Sequence, residues 1–110
     1  MKQDEETPDL PDESNYFASV YTNDRDSVTT AFKGDGHWTI RKVGFGEFEA
    51  RSRSGELIIE AQGQVLIHGP LHPNAVTGVN AILSSIGLPW NSEFYDSEGK
   101  LVQNFGDGAT

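Results

Sequence analysis

Between residues 47 and 68 apolar and polar residues change places at almost every step. EFEARS (47–52), ELIIEA (56–61) and QVLIH (64–68) each show the period of two that marks a half-buried strand. Arg53-Ser54-Gly55 and Gln62-Gly63 interrupt the alternation with turn residues, so the segments predict two successive hairpins. Parity then assigns faces. A four-residue loop at Ser52–Gly55 sets Arg51 opposite Glu56, Ala50 opposite Leu57 and Phe48 opposite Ile59. A three-residue loop at Ala61-Gln62-Gly63 sets residue 60 opposite 64, 59 opposite 65, 58 opposite 66 and 57 opposite 67. Leu57, Ile59, Val65 and Ile67 then share one face with Phe48 and Ala50, whereas a two-residue turn would mix the faces. The other face collects Glu47, Glu49, Arg51, Glu56, Glu60, Gln64 and His68, with Ile58 opposite Leu66 in its middle.

The flanking segments extend this pattern. NYFASVYT (15–22) alternates as a first strand. SVTTAF (27–32) reads as a strand by its β-branched content, although Asp26 or Ser27 could equally cap a short helix. Asp35-Gly36 is a hairpin-turn signal, followed by a strand over HWTIRKV (37–43) that adds Trp38 and Ile40 to the apolar face. From His72 the period changes. Val76, Val79, Leu83 and Ile86 recur at intervals of three and four, predicting a helix over 73–86 with Pro73 in its first turn and Gly87 just past its end. Gly78 inside that helix costs about 1 kcal/mol against alanine, which points to a close approach to the sheet. SEFYD and KLVQNF flank Ser97-Glu98-Gly99 as a last hairpin.

The fold expected is α+β: an antiparallel meander of about five strands, one main helix on its apolar face, and a C-terminal hairpin. One domain over 15–105 is expected between an acidic, disordered tail at 1–14 and a frayed end at 106–110. The Ile58–Leu66 pair has three readings. It is an ordinary exposed aliphatic pair, or the first strand or last hairpin covers it through Phe94, Leu101 or Phe105, or it is a binding patch ringed by carboxylates.

Charge changes the picture mainly by its distribution. The chain carries −9 overall. Residues 1–26 are net −6, residues 27–92 neutral and residues 93–110 net −3, so the acidity sits at the ends and includes Asp24, Asp26, Glu93 and Asp96. Direct nucleic-acid binding is disfavoured, because phosphate contacts need clustered Lys and Arg. Cysteine is absent, which removes disulfides, thiolate metal sites and cysteine nucleophiles, and fits a reducing cytoplasm. No apolar run approaches the ~20 residues of a membrane helix, and MKQDEETPDLPDES lacks the apolar core of a secretory signal, so a cytoplasmic location without membrane association is expected.

Candidate chemistry is sparse. His68 and His72 are separated by Gly69-Pro70 and cannot share a helical face, so no metal and no cofactor is expected. Glu47 and Glu60 fall opposite each other and, with His68, form the one conceivable acid–base set. Asp24, Asp26 and Asp35 lack the glycine and terminal glutamate of a calcium loop; Gly34-Asp35-Gly36 lacks the third glycine of a dinucleotide fingerprint; no Gly-x-Ser-x-Gly occurs. The expectation is a small acidic, non-enzymatic binding protein, an inhibitor or antagonist that occupies a basic surface of another protein by charge complementarity. Inhibitors of host defence encoded by phages or plasmids, and immunity proteins, are of this general kind. Its binding residues are expected among Ile58, Leu66, Glu47, Glu49, Glu56, Glu60, Asp24, Asp26, Glu93 and Asp96, and its state is monomer or homodimer. The competing expectation is a self-assembling structural or accessory protein, with a small acid–base enzyme third.

Overall fold

A computed structural model describes residues 14–107 except 23, 45, 62 and 97, with backbone alone at 103–107. The expected tail at 1–14 thus lies outside the described residues save for Ser14, as does most of the expected frayed end. In chain order the elements are β1 (Tyr16–Val20), α1 (Arg25–Asp35), β2 (Thr39–Gly44), β3 (Glu47–Ser52), β4 (Gly55–Ala61), β5 (Val65–Gly69), α2 (Val76–Ser85), β6 (Trp90–Tyr95) and β7 (Leu101–Asp107). One 3-10 turn, Pro73–Ala75, leads into α2. The strands form a single antiparallel sheet in the order β2-β3-β4-β5-β1-β6-β7. The α+β class holds. The meander β2 to β5 supplies four strands, against about five expected, of a seven-stranded sheet that two helices cover where one main helix is expected, and β1 bridges it to the C-terminal hairpin β6–β7.

The β3–β4 hairpin has the expected register, with Phe48 opposite Ile59, Ala50 opposite Leu57 and Arg51 opposite Glu56. The β4–β5 hairpin differs by two residues. Ala61 pairs with Val65, Glu60 with Leu66, Ile59 with Ile67 and Ile58 with His68, so the loop is 62–64. A shift of two preserves every side chain's face, which is why the predicted faces survive although the predicted partners do not. Ile58 and Leu66 are therefore diagonal neighbours, each directly opposite a titratable residue.

The segment expected as a strand at 27–32 lies within helix α1. Asp24 caps its start, accepting from the backbone N–H of Asp26 and Ser27, and Asp26 sits in the positive first turn. Val28, Thr29 and Phe32 are buried at helical spacing, so packing of one face overrides β-branched propensity. Asp35-Gly36 ends this helix instead of turning a hairpin. Gly36 takes the left-handed conformation, φ 85°, and its N–H reaches the carbonyl of Lys33. A second glycine is needed where β5 ends. A Cβ on Gly69 would strike the backbone carbonyl of Glu56, because the chain there crosses close to β4.

Both helices lie on one face of the sheet and bury what alternation places there. Tyr16, Val20, Leu57, Ile59 and Val65 are fully covered, with Val28 and Phe32 from α1 and Val79 and Leu83 from α2 above them. Each large aliphatic side chain so covered stabilises the fold by about 1.5–3 kcal/mol. Trp38 joins as expected, its ring edge-on to Phe32 at 5.5 Å. Within this core lies one polar knot. Tyr16 Oη and Ser92 Oγ both donate to Oδ1 of Asn80, at 2.7 and 2.8 Å. Burial pushes the Tyr16 phenol above its ordinary value, an effect the Ser92 hydroxyl only partly offsets.

No strand folds over the opposite face among the described residues. β1 is inside the sheet, between β5 and β6, and β7 extends it at the edge. Phe94 points into the helix-side core and Leu101 is half exposed, so neither covers Ile58 and Leu66; the side chain of Phe105 is outside the described residues. β7 continues to Asp107, beyond the expected boundary at 105.

Candidate functional site

The helix-free face is built by register. Partners in an antiparallel sheet share a face, so the pairings define rows across it. One row runs Arg41, Glu49, Ile58, His68, Phe17, Glu93 across β2, β3, β4, β5, β1 and β6. The next runs Glu47, Glu60, Leu66, Ser19, Asn91. Placing β1 at the centre brings Phe17, one residue along from buried Tyr16, into the middle of this face, where it is 41% exposed.

The two rows differ from end to end. Towards β2 the charges cancel. Glu49 is buried and takes Arg41 Nε at 3.1 Å and Arg51 Nη2 at 3.5 Å, and Glu56 lies 3.9 Å from Arg51. Towards β6 they do not cancel, and aromatic surface appears. Tyr95 packs edge-on to Phe17, with centroids 5.8 Å apart, and its hydroxyl donates to Glu93 Oε1 at 2.7 Å. That hydrogen bond, with the carboxylate charge behind it, raises the Tyr95 phenol above its ordinary value. Between these ends His68 Nε2 meets Glu60 Oε2 at 2.7 Å, and Glu47 stands opposite Glu60 as expected. A shallow depression of about 420 Å³ lies over Phe17, Ser19, Leu66, His68, Asn91 and Glu93.

Of the ten expected binding residues, the sheet brings seven to this face: Glu47, Glu49, Glu56, Ile58, Glu60, Leu66 and Glu93. The other three go elsewhere. Asp24 and Asp26 lie on the helix side at the start of α1, and the Ser27 hydroxyl on Asp24 holds that carboxyl below its ordinary value. Asp96 folds the β6–β7 turn, its Oδ1 accepting from the N–H groups of Glu98 and Lys100 at 2.9 Å each. Phe17 and Tyr95 were absent from that set. Their alternation is visible in the sequence, but it does not say which face is left open, because that depends on β1 and β6 pairing with each other across some 75 residues of chain.

The chemistry available is limited. A histidine held by a carboxylate is the base-and-orienter half of a hydrolytic site, which also needs a nucleophile within hydrogen-bond reach. The described hydrogen bonds join His68 to Glu60 and to no hydroxyl. Among the described residues no group of three or more histidines and carboxylates could hold a metal ion, and no helix is long and apolar enough to cross a membrane. What the face presents is an aromatic and aliphatic centre with Glu93 beside it, on the side away from Arg41 and Arg51. No family model matches the chain, and no curated protein and no solved structure matches it either.

Proposed function

We propose that the protein is a non-enzymatic binding protein whose helix-free sheet face docks a partner protein with a basic surface. The observation that supports this reading most is an asymmetry in charge and apolar surface on one open face. Phe17, Tyr95, Leu66 and Ile58 supply contact area, and Glu93 on β6 supplies charge beside them on the side away from Arg41 and Arg51, with Glu60 on His68 and Glu47 further along the face towards β2. Aromatic anchors within a charged rim are the usual composition of a protein interface, with charge serving association rate and partner choice. An inhibitor or antagonist that occupies a nucleic-acid-binding groove, of the host-defence or immunity kind, fits this balance. It would act in the cytoplasm.

The test is capture of a partner from cell extract, followed by kinetics with that partner purified. Phe17→Ala/Tyr95→Ala should speed dissociation, while Glu47→Gln/Glu60→Gln/Glu93→Gln should slow association and flatten its salt dependence. Capture that neither set alters would overturn the assignment of this face. One observation favours a second reading, the His68–Glu60 pair opposite Glu47 as an acid–base element. Loss of a detected turnover in Glu60→Gln, with the fold intact, would move the assignment to catalysis.

A further inference from the structure

A cleft of about 530 Å³ opens on the helix side, between the end of α1, the β3–β4 turn and the first turns of α2. Its apolar wall is Trp38, Ala75 and Val79, and Arg53 and His37 stand at its rim. Small-molecule sites span roughly 300–1,000 Å³ and combine such walls with a few polar groups.

Two residues of this cleft bear on what it could hold. The first is Gly78. Glycine in a helix is unfavourable, and the close approach to the sheet that would excuse it is absent: a Cβ there meets no atom within 4 Å. Its φ is not positive either, so the backbone does not demand glycine. What the missing side chain does is leave the cleft open. The second is Arg53. Arg41 and Arg51 are bound to carboxylates, and Arg25 to the carbonyl of Gly46 and the ring of Phe48. Arg53 makes no hydrogen bond or ion pair with any described residue, although the chain carries −9 overall. The acid lining the cleft, Asp35, is engaged by His37 Nδ1 at 2.9 Å, and Ser52 and Ser54 add hydroxyls beside Arg53.

We propose that this cleft binds a small organic anion, whose flat apolar body lies against Trp38 and Ala75 and whose carboxylate or phosphate group pairs with Arg53. A guanidinium presents a planar fork of donors that matches either head group. The inference does not depend on the docking face, which lies on the other side of the sheet.

The experiment is an amide-resolved NMR titration of the full chain with benzoate and with phenyl phosphate, which separate the two head groups. Benzyl alcohol serves as the neutral analogue and inorganic phosphate as the anion without a body. At least one aromatic anion should shift the amides of Arg53, Ser54 and Gly78 saturably, and benzyl alcohol and inorganic phosphate should each bind about ten-fold more weakly. Arg53→Gln, an exposed substitution that leaves the core untouched, should weaken binding by about ten-fold. Gly78→Leu should fill the cleft and abolish the shifts, with circular dichroism as the check on folding. The proposal is overturned if neither anion gives saturable shifts, if inorganic phosphate binds as well as phenyl phosphate, or if Arg53→Gln binds the anion as tightly as the wild type.

Discussion

Leu57 and Ile59 have no exposed surface, whereas Ile58 between them is half-buried beside His68 and near Glu60. The three residues are chemically alike and belong to one strand. Their difference comes from what lies above each face. The helix side must exclude water from every side chain, so it admits only residues that fill space or complete a hydrogen bond. The open side has to keep the sheet paired and soluble, so it is free to carry carboxylates, a histidine and two aromatic rings. Function is sought on the face that folding constrains less.

The largest test of this contrast compares neighbours. Leu57→Ala should cost about 2–5 kcal/mol in urea unfolding, whereas Ile58→Ala should cost no more than about 1 kcal/mol. Equal costs would mean that the faces are not distinct. Next comes the polar knot on the helix side. Asn80→Ala strands the Tyr16 and Ser92 hydroxyls in the core, at about 1–3 kcal/mol each. Adding Tyr16→Phe and Ser92→Ala should recover much of that loss, since no stranded polar group then remains.

The same tyrosine makes the contrast sensitive to pH. Its folded-state phenol is raised above the unfolded value near 10.0. The folded protein therefore holds this proton where the unfolded chain has lost it. The contribution is complete below the unfolded value and is lost as pH rises through the folded one. Above pH ~10 stability should fall by up to about 1.4 kcal/mol per pH unit from this group, and Tyr16→Phe should remove that share of the slope. Tyr95, half-buried on the open face and raised in the same direction, should contribute with the same sign over a narrower pH range. The smallest effect is at the cleft. Gly78→Ala should raise stability by about 0.5–1 kcal/mol, because helix propensity improves and no neighbour is displaced.

Parts of this fold were legible because local chemistry carried them. Arg53-Ser54-Gly55 set the β3–β4 register, and alternation set the faces of β4 and β5. Their pairing was misplaced by two, since alternation constrains parity and leaves an even shift undetermined. For α1 the sequence leaves a strand and a capped short helix both open, because Val28, Thr29 and Thr30 favour a strand in isolation and the caps that decide the matter, Asp24 and Gly36, lie in segments that read as turns. Asn80 was hidden inside an apolar stripe, and its role depends on two strands distant in sequence. The site was half legible for the same reason. Six residues follow from the β3–β5 meander and local alternation, but Glu93, Phe17 and Tyr95 belong to it only because β1 pairs with both β5 and β6. The cost of Gly78 in a helix is visible in the sequence but not its setting, which is open space and not the sheet.

The most direct measurement is light scattering coupled to size exclusion on the wild type and on Ile58→Glu/Leu66→Glu, with circular dichroism on both. An open face available to a foreign partner predicts two folded monomers with the same spectrum. A double variant that loses its fold would place these residues inside the molecule. A wild-type dimer that the folded variant dissociates would make the face a contact between copies of this chain. Either result would contradict the account.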